Sequence, residues 1–466
     1  MNHSKPKNYF KFHYDVLKIF GISIEDFQNP FIEIIYKTYA IMVIALFFYI
    51  YAITEIVDLL QTWENLETST FTMSYLTSHI LGISKLSIVL IFRKSIDKFC
   101  KNLNEGVFKP NPLRSGPQEQ TIISNATKTC NLQGSFFHVF VILIVGQRAL
   151  YAILDKGRYE NYFDEKTNST FPKLIRTLPY SCWLPFEPID SPYYELGVSY
   201  QVISACFFGF IIGAIDALIC GILSHIKAQF LILKNCLKTY FERGVYLMQK
   251  DGFEQIESNN HVLQKYVDIC ICDCIKHHHA IIELADGAEI TFSLLMLIQF
   301  LGSLFLICFQ LFQLSLVGQI RFIKFFSMIC YLFLMLYQIL IYCWHGNEVM
   351  LVSNEIIDAA FESDWINVST SSQKSLLLMM MRAQRPIKMS AGKFTFLSLE
   401  TFMAVIQVFY TKMALIRNFK FTFFLNINLH FAFWYTRLHR HTRKSLNPQL
   451  LIETILGQKM ALFKSY

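Results

Sequence analysis

Residues 196–223 read LGVSYQVISACFFGFIIGAIDALICGIL, a 28-residue stretch whose only charged side chain is Asp216. About 20 apolar residues carry a helix across roughly 30 Å of hydrocarbon, so Leu196–Leu223 is long enough to span a bilayer. Six more apolar segments are arranged around it: Ile32–Val57, Thr70–Phe92, Phe136–Ile153, Ile290–Val317, Phe322–Trp344 and Phe394–Ile416. The pattern predicts an all-α membrane protein with seven transmembrane helices. The third segment holds Gln147 and Arg148, and such polar residues are expected where a helix lines a cavity. Composition points the same way, since 53% of the 466 residues are hydrophobic and only 17% charged, against about 25% charged in soluble proteins. Met1–Asn29 is polar and Lys-bearing, so the first apolar run is expected to act as both signal and anchor. The 12 cysteines are scattered, several within apolar runs, and do not form a secreted disulfide framework.

Lys and Arg concentrate on one side of these spans. The N-terminal segment and the loops 93–133, 226–280 and 345–393 together carry 23, and the alternate loops carry 6. The positive-inside bias predicts an intracellular N-terminus and, after seven spans, an extracellular C-terminus. The sequon Asn168-Ser169-Thr170 then falls in the second outer loop, where glycosylation is expected at Asn168. Asn125 and Asn367 fall inside and are expected to stay unmodified. This topology is opposite to that of a G-protein-coupled receptor, and neither Asp-Arg-Tyr after the third span nor Asn-Pro-x-x-Tyr in the seventh is present.

Several segments carry a family resemblance. The second outer loop reads Leu178-Pro179-Tyr180-Ser181-Cys182-Trp183-Leu184-Pro185, then Ser191-Pro192-Tyr193-Tyr194 and Tyr200-Gln201. The end of the sixth span reads Tyr342-Cys343-Trp344-His345-Gly346-Asn347-Glu348, and Met379-Met380-Met381-Arg382-Ala383-Gln384-Arg385-Pro386 opens a block running through Leu397-Ser398-Leu399-Glu400-Thr401-Phe402 to Leu415-Ile416-Arg417-Asn418. Over roughly residues 10 to 418 the chain resembles insect odorant receptors. The resemblance implies a tetrameric ligand-gated cation channel in the plasma membrane of the olfactory neuron dendrite, with long intracellular helical extensions as a shared anchor. It implies a small volatile odorant as ligand, bound between spans two, three, four and six in the outer half of the bilayer. There the candidates are Tyr75, Ser78, His79, Leu150, Tyr151, Tyr200, Ile203, Phe207, Phe325 and Ile329. The last helix is expected to line the pore through Val408, Thr411 and Leu415, with Leu415 near the outer constriction. Lacking the long insertion before the fifth span that marks the olfactory coreceptor, the chain reads as a tuning subunit that partners it in a heterotetramer. Residues 1–418 form the receptor domain on this reading. Residues 419–466 depart from the family as an atypical extension, read as disordered, as a gene-structure artefact, or as an eighth segment from Phe421 to Tyr435.

Cys270, Cys272 and Cys274 with His277, His278 and His279 offer zinc-type ligands. In a helix, however, residues two apart point to different faces, and packing is the competing reading, so no metal is expected. Lys85 and Asp216 are ionisable residues inside spans, Lys85 eight residues before Arg93 and Asp216 nine before His225. That matched depth predicts an ion pair, with separate snorkelling as the alternative. No phosphate-cradling loop, nucleophile elbow or HExxH pair points to an enzyme or a cofactor. Topology accounts for the basic loops without nucleic acid. A gustatory receptor is the nearest rival, but Thr401-Phe402 and Gln407-Val408-Phe409 depart from its last-helix signature, Thr-Tyr, five residues, Gln-Phe. A metabotropic seven-helix receptor is the rival of a different class.

Overall fold

Asn29 and Pro30 show how the first long helix starts. The Asn29 side chain accepts from Phe31 N at 2.9 Å while Pro30 takes the first helical position, where its missing N–H costs nothing. The computed structural model describes residues 8–116, 118–155, 157–164, 169–253, 261–316 and 322–418. The described elements are mainly helices: α1 (Lys11–Ile19), α2 (Pro30–Gln61, with a π-helical turn at Ala45–Ile50), α3 (Leu66–Ile91), α4 (Arg93–Asn102), α5 (Gln118–Leu154), α6 (Tyr193–Lys250), α7 (His261–Leu316), α8 (Phe322–Phe361), α9 (Thr370–Ala383) and α10 (Leu399–Asn418). Six helices, α2, α3, α5, α6, α7 and α8, are long and apolar enough to cross a membrane. α10 has 20 residues, about 30 Å of helix at 1.5 Å per residue. The chain divides into two units at Phe409/Tyr410, and the described part of the second unit is the end of α10.

Two expectations need correction. The fold is not purely helical, because the loop after α5 forms an antiparallel hairpin, β1 (Arg158–Asp164) with β2 (Ser169–Ile175). A second, minimal hairpin pairs β3 (Ser390–Ala391) with β4 (Thr395–Phe396). The last helix starts at Leu399, not Phe394. Gly392 and Lys393 both sit at φ 61, a left-handed turn that helical backbone does not contain. Leu397 N then returns to Met389 O at 2.9 Å, and Ser398 Oγ accepts from Thr401 N at 3.2 Å to start the helix. Asn168 and residues 419–466 lie outside the described residues.

α6 is the central helix, buried at almost every position from Ile211 to Ala228, and α3, α5, α7 and α8 pack around it. Such all-round burial requires an apolar sequence without a polar face. Small residues set the closeness of α5. A Cβ at Gly209 would lie 2.4 Å from Val141 Cγ1, and one at Gly213 would lie 2.4 Å from Phe137 Cδ1. Beyond the apolar stretch, α6 and α8 run side by side, joined by successive ion pairs. Lys227 pairs with Glu348, Lys234 with Glu355 at 2.7 Å and Lys238 with Glu362 at 2.8 Å. Lys238 holds the exposed Glu362 carboxyl below its usual range. Partly exposed pairs of this kind are screened and individually weak, so they fix register more than stability.

Candidate ligand cavity and polar node

Three helices each present one face to a single cavity. α5 contributes Phe137, Val141, Ile144 and Val145; α6 contributes Ala205, Phe208, Gly209 and Ile212; α8 contributes Tyr331, Leu334, Met335 and Gln338. Intervals of three and four put each set on one helical face. α3 adds Tyr75, Ser78, His79 and Leu81, α7 adds Leu306, and the loop after the first hairpin adds Tyr180. The cavity volume is about 80 Å³, and its walls are mostly apolar with a few polar fixtures, the usual make-up of a small-molecule site.

Tyr180 is held in place from below. Gln201 accepts from Tyr180 N at 3.0 Å and donates to Tyr180 O at 2.9 Å. Tyr180 thereby meets Tyr75 edge-on, with ring centroids 5.1 Å apart. Arg148, half-buried on α5, donates to the Tyr75 hydroxyl at 2.9 Å and to Ser327 Oγ at 3.0 Å. Its guanidinium also lies 5.0 Å from the Phe71 ring centroid and 6.0 Å from that of Tyr180. His79 Nδ1 lies 2.6 Å from Glu55 Oε2, with both residues buried.

Gln338 joins the cavity to a second feature, the buried pair of Lys85 and Asp216. Lys85 Nζ lies 2.5 Å from Asp216 Oδ1, and neither side chain is more than 1% exposed. Gln338 Nε2 donates to Asp216 Oδ2 at 2.7 Å, and the Tyr342 hydroxyl donates to Asp216 Oδ1 at 2.8 Å. The carboxylate thus has three donors and one neutralising charge. A buried ion pair requires such full satisfaction to persist in a low-dielectric interior.

Of the ten ligand candidates, Tyr75, Ser78 and His79 line this cavity; the other seven do not. Leu150, Ile203, Phe325 and Ile329 are exposed on the outer faces of their helices. Ile203 and Ile329 each sit two residues, about 200° of rotation, from the cavity-facing Ala205 and Tyr331. Tyr200 donates to Leu46 O at 3.1 Å, and Phe207 stacks on Phe47 with centroids 4.8 Å apart, so both pack against α2. Tyr151 is half-buried away from the cavity. The polar and aromatic residues that sequence reasoning did not select include Tyr180, Tyr331 and Gln338 in the lining and Arg148 behind Tyr75. Arg148 carried a signal, a charge in an apolar span, that fixed no partner. On α10, Ala404 and Val408 are exposed and Val405 is buried. The Cys and His cluster is dispersed. Cys272 is exposed, Cys270 and Cys274 are buried, His277 bonds Gln229 Oε1 at 2.9 Å, and His279 faces Glu283. Among the described residues, no three such groups are placed to hold a metal.

A bundle of long apolar helices around a mostly apolar cavity defines a multi-pass membrane protein. The seven-transmembrane odorant receptor family model matches residues 65–410, and the chain belongs to this odorant receptor family, whose members are membrane receptors and not enzymes. It is 26% identical over 245 residues to putative odorant receptor 85d of Drosophila melanogaster, covering 52% of this chain and 54% of that protein. It is also 26% identical over 250 residues to odorant receptor 10 of Aedes albopictus, covering 52% and 61%. The chain thus spans little more than half the length of these two relatives. A longer alignment, to odorant receptor 67a of Drosophila melanogaster, is 22% identical and covers 78% of this chain and 84% of that protein. The insect olfactory receptor OR5 from Machilis hrabei, solved in complex with eugenol, has the same fold, with a TM-score of 0.69 at 15% identity over 88% of this chain and 97% of that one.

Proposed function

We propose that the chain is the odorant-binding subunit of a ligand-gated, non-selective cation channel and partners an olfactory coreceptor in the plasma membrane of an olfactory neuron dendrite. The observation that carries this reading is the mostly apolar cavity of about 80 Å³ between α3, α5, α6 and α8 in a chain of the odorant receptor family. The ligand is a small volatile odorant. α10 is the seventh span, the N-terminus is intracellular, and the lysine–glutamate register of α6 and α8 belongs to an intracellular anchor. The basic bias of the loops supports that orientation. An epitope at the N-terminus is expected to stain only permeabilised cells, and one near Asn168, the proposed glycosylation site, to stain intact ones; the reverse pattern would remove the orientation. The receptor domain is taken as residues 1–418, with 419–466 an extension to it. The short segment between α6 and α7 supports a tuning subunit over the coreceptor.

The pore is assigned to the α10 face carrying Ala404, Val408, Thr411 and Leu415, spaced i, i+4, i+7 and i+11. An apolar ring at Leu415 blocks hydrated ions by dewetting. Leu415→Ser is expected to raise basal current several-fold at equal surface expression. Lys412 stands one turn before Leu415, where a fixed positive charge would oppose cation entry, so Lys412→Gln is expected to raise cation conductance. Unchanged conduction in both variants would remove this face from the pore.

A further inference from the structure

The cavity contains an asymmetric set of hydrogen-bonding groups. The Tyr75 oxygen accepts from Arg148 Nη2 at 2.9 Å, and its own proton has no acceptor among the described residues. A phenol that accepts from a guanidinium becomes a stronger donor, because hydrogen bonds in a chain polarise one another. Tyr331, the neighbouring ring with its centroid 5.1 Å from that of Tyr75, is buried, and its hydroxyl makes no hydrogen bond of normal geometry. Ser78 Oγ, which donates to Tyr75 O at 2.9 Å, keeps its lone pairs beside the Tyr331 hydroxyl but is not placed in hydrogen-bond geometry with it. Two phenolic donors therefore line the same apolar cavity with a cation behind one of them. An unmade hydrogen bond at a buried hydroxyl is unfavourable, so a ligand able to accept there gains selectively.

Charge narrows the class further. Asp216 is taken by Lys85; Glu55 meets His79 through Oε2, its Oε1 has no hydrogen-bond partner, and Glu55 itself does not line the cavity. Arg148 has hydroxyl and aromatic partners and no carboxylate among the described ion pairs. A ligand ammonium would meet that guanidinium without a counter-ion, in surroundings where like charges repel strongly. The volume of about 80 Å³ is well below the roughly 300–1,000 Å³ of sites for drug-sized molecules.

Resting on the odorant-binding reading of this cavity, we propose that its ligand is a compact neutral molecule bearing one carbonyl oxygen (a ketone, aldehyde or ester), which accepts from the hydroxyls of Tyr75 and Tyr331. Arg148 is a positioning residue that orients Tyr75.

The test compares cyclohexanone, cyclohexanol, methylcyclohexane and cyclohexylamine, which share one ring size. Binding is read as ligand-dependent thermal stabilisation of the full-length chain in detergent, where a ligand that binds only the folded state raises Tm. This readout needs no channel activity. Selective binding without odorant current would contradict the channel reading and leave this inference standing. The ketone is expected to bind about five- to tenfold more tightly than the hydrocarbon, the increment of one to two hydrogen bonds, and the amine most weakly. Tyr75→Phe and Tyr331→Phe are each expected to remove most of the ketone's advantage while leaving the hydrocarbon's affinity unchanged. Equal affinity for ketone and hydrocarbon, preference for the amine, or undiminished ketone selectivity in both Phe variants would overturn the proposal. The panel on the unmodified chain decides the matter even if a variant fails to fold.

Discussion

Asp216→Ala is expected to remove most of the receptor from the cell surface. The substitution leaves Lys85, fully buried, without its counter-ion, and leaves Gln338 and Tyr342 without their acceptor. Breaking one side of a buried pair costs about 3–5 kcal/mol, against a total folding stability of about 5–15 kcal/mol. Lys85→Ala is expected to do the same from the other side, since an unpaired carboxylate inside a membrane is as unfavourable as an unpaired ammonium. The double variant removes both charges and is expected to recover part of the loss, read as surface labelling in intact cells. Additive losses in the double variant would mean the two residues act independently.

Gly346→Ala is expected to be nearly as damaging, for a steric reason. A Cβ at Gly346 would lie 2.5 Å from Leu397 Cβ and 2.6 Å from Leu397 O. The obstacle includes backbone, which cannot swing aside as the end of a long side chain can. Leu397 is fixed by its hydrogen bond to Met389 O and stands two residues before α10, so the methyl must displace the start of that helix. Overpacking of this kind typically costs about 1–3 kcal/mol. The expected result is a several-fold loss of surface receptor, or of odorant current where expression holds. Wild-type current at wild-type expression would show that the start of α10 yields freely.

The placement of the six long apolar helices was legible in the sequence because each span needs a sufficient count of apolar residues, and Leu196–Leu223 or Phe322–Trp344 supply it. Lys85 and Asp216 were visible in the sequence as opposite charges inside apolar segments, and the fold brings them to 2.5 Å. Which face of a helix meets the cavity was not. In an all-apolar helix such as α6, Ile203 and Ala205 differ little in hydropathy, and the helix has no polar side to set its rotation. The small residues Ala205, Gly209 and Gly213 carried the only clue, marking where α5 comes close. Gln338 and Tyr342 complete the node around Asp216 from another span, and no spacing rule joins residues more than a hundred positions apart. Tyr180 reaches the cavity from a loop through a contact with Gln201 that only the folded chain reveals. The early end of the last apolar segment, Phe394–Leu397, fell to a turn at Gly392 and Lys393, where Lys gave no sign of a left-handed backbone.

The most direct test of the channel reading is to express the chain with and without an olfactory coreceptor and record current across a panel of small odorants. Odorant-evoked cation current is expected with the coreceptor and little or none from the chain alone. Robust current from the chain alone would contradict its role as a tuning subunit, and no evoked current in either case, with receptor present at the surface, would contradict the odorant-gated channel itself.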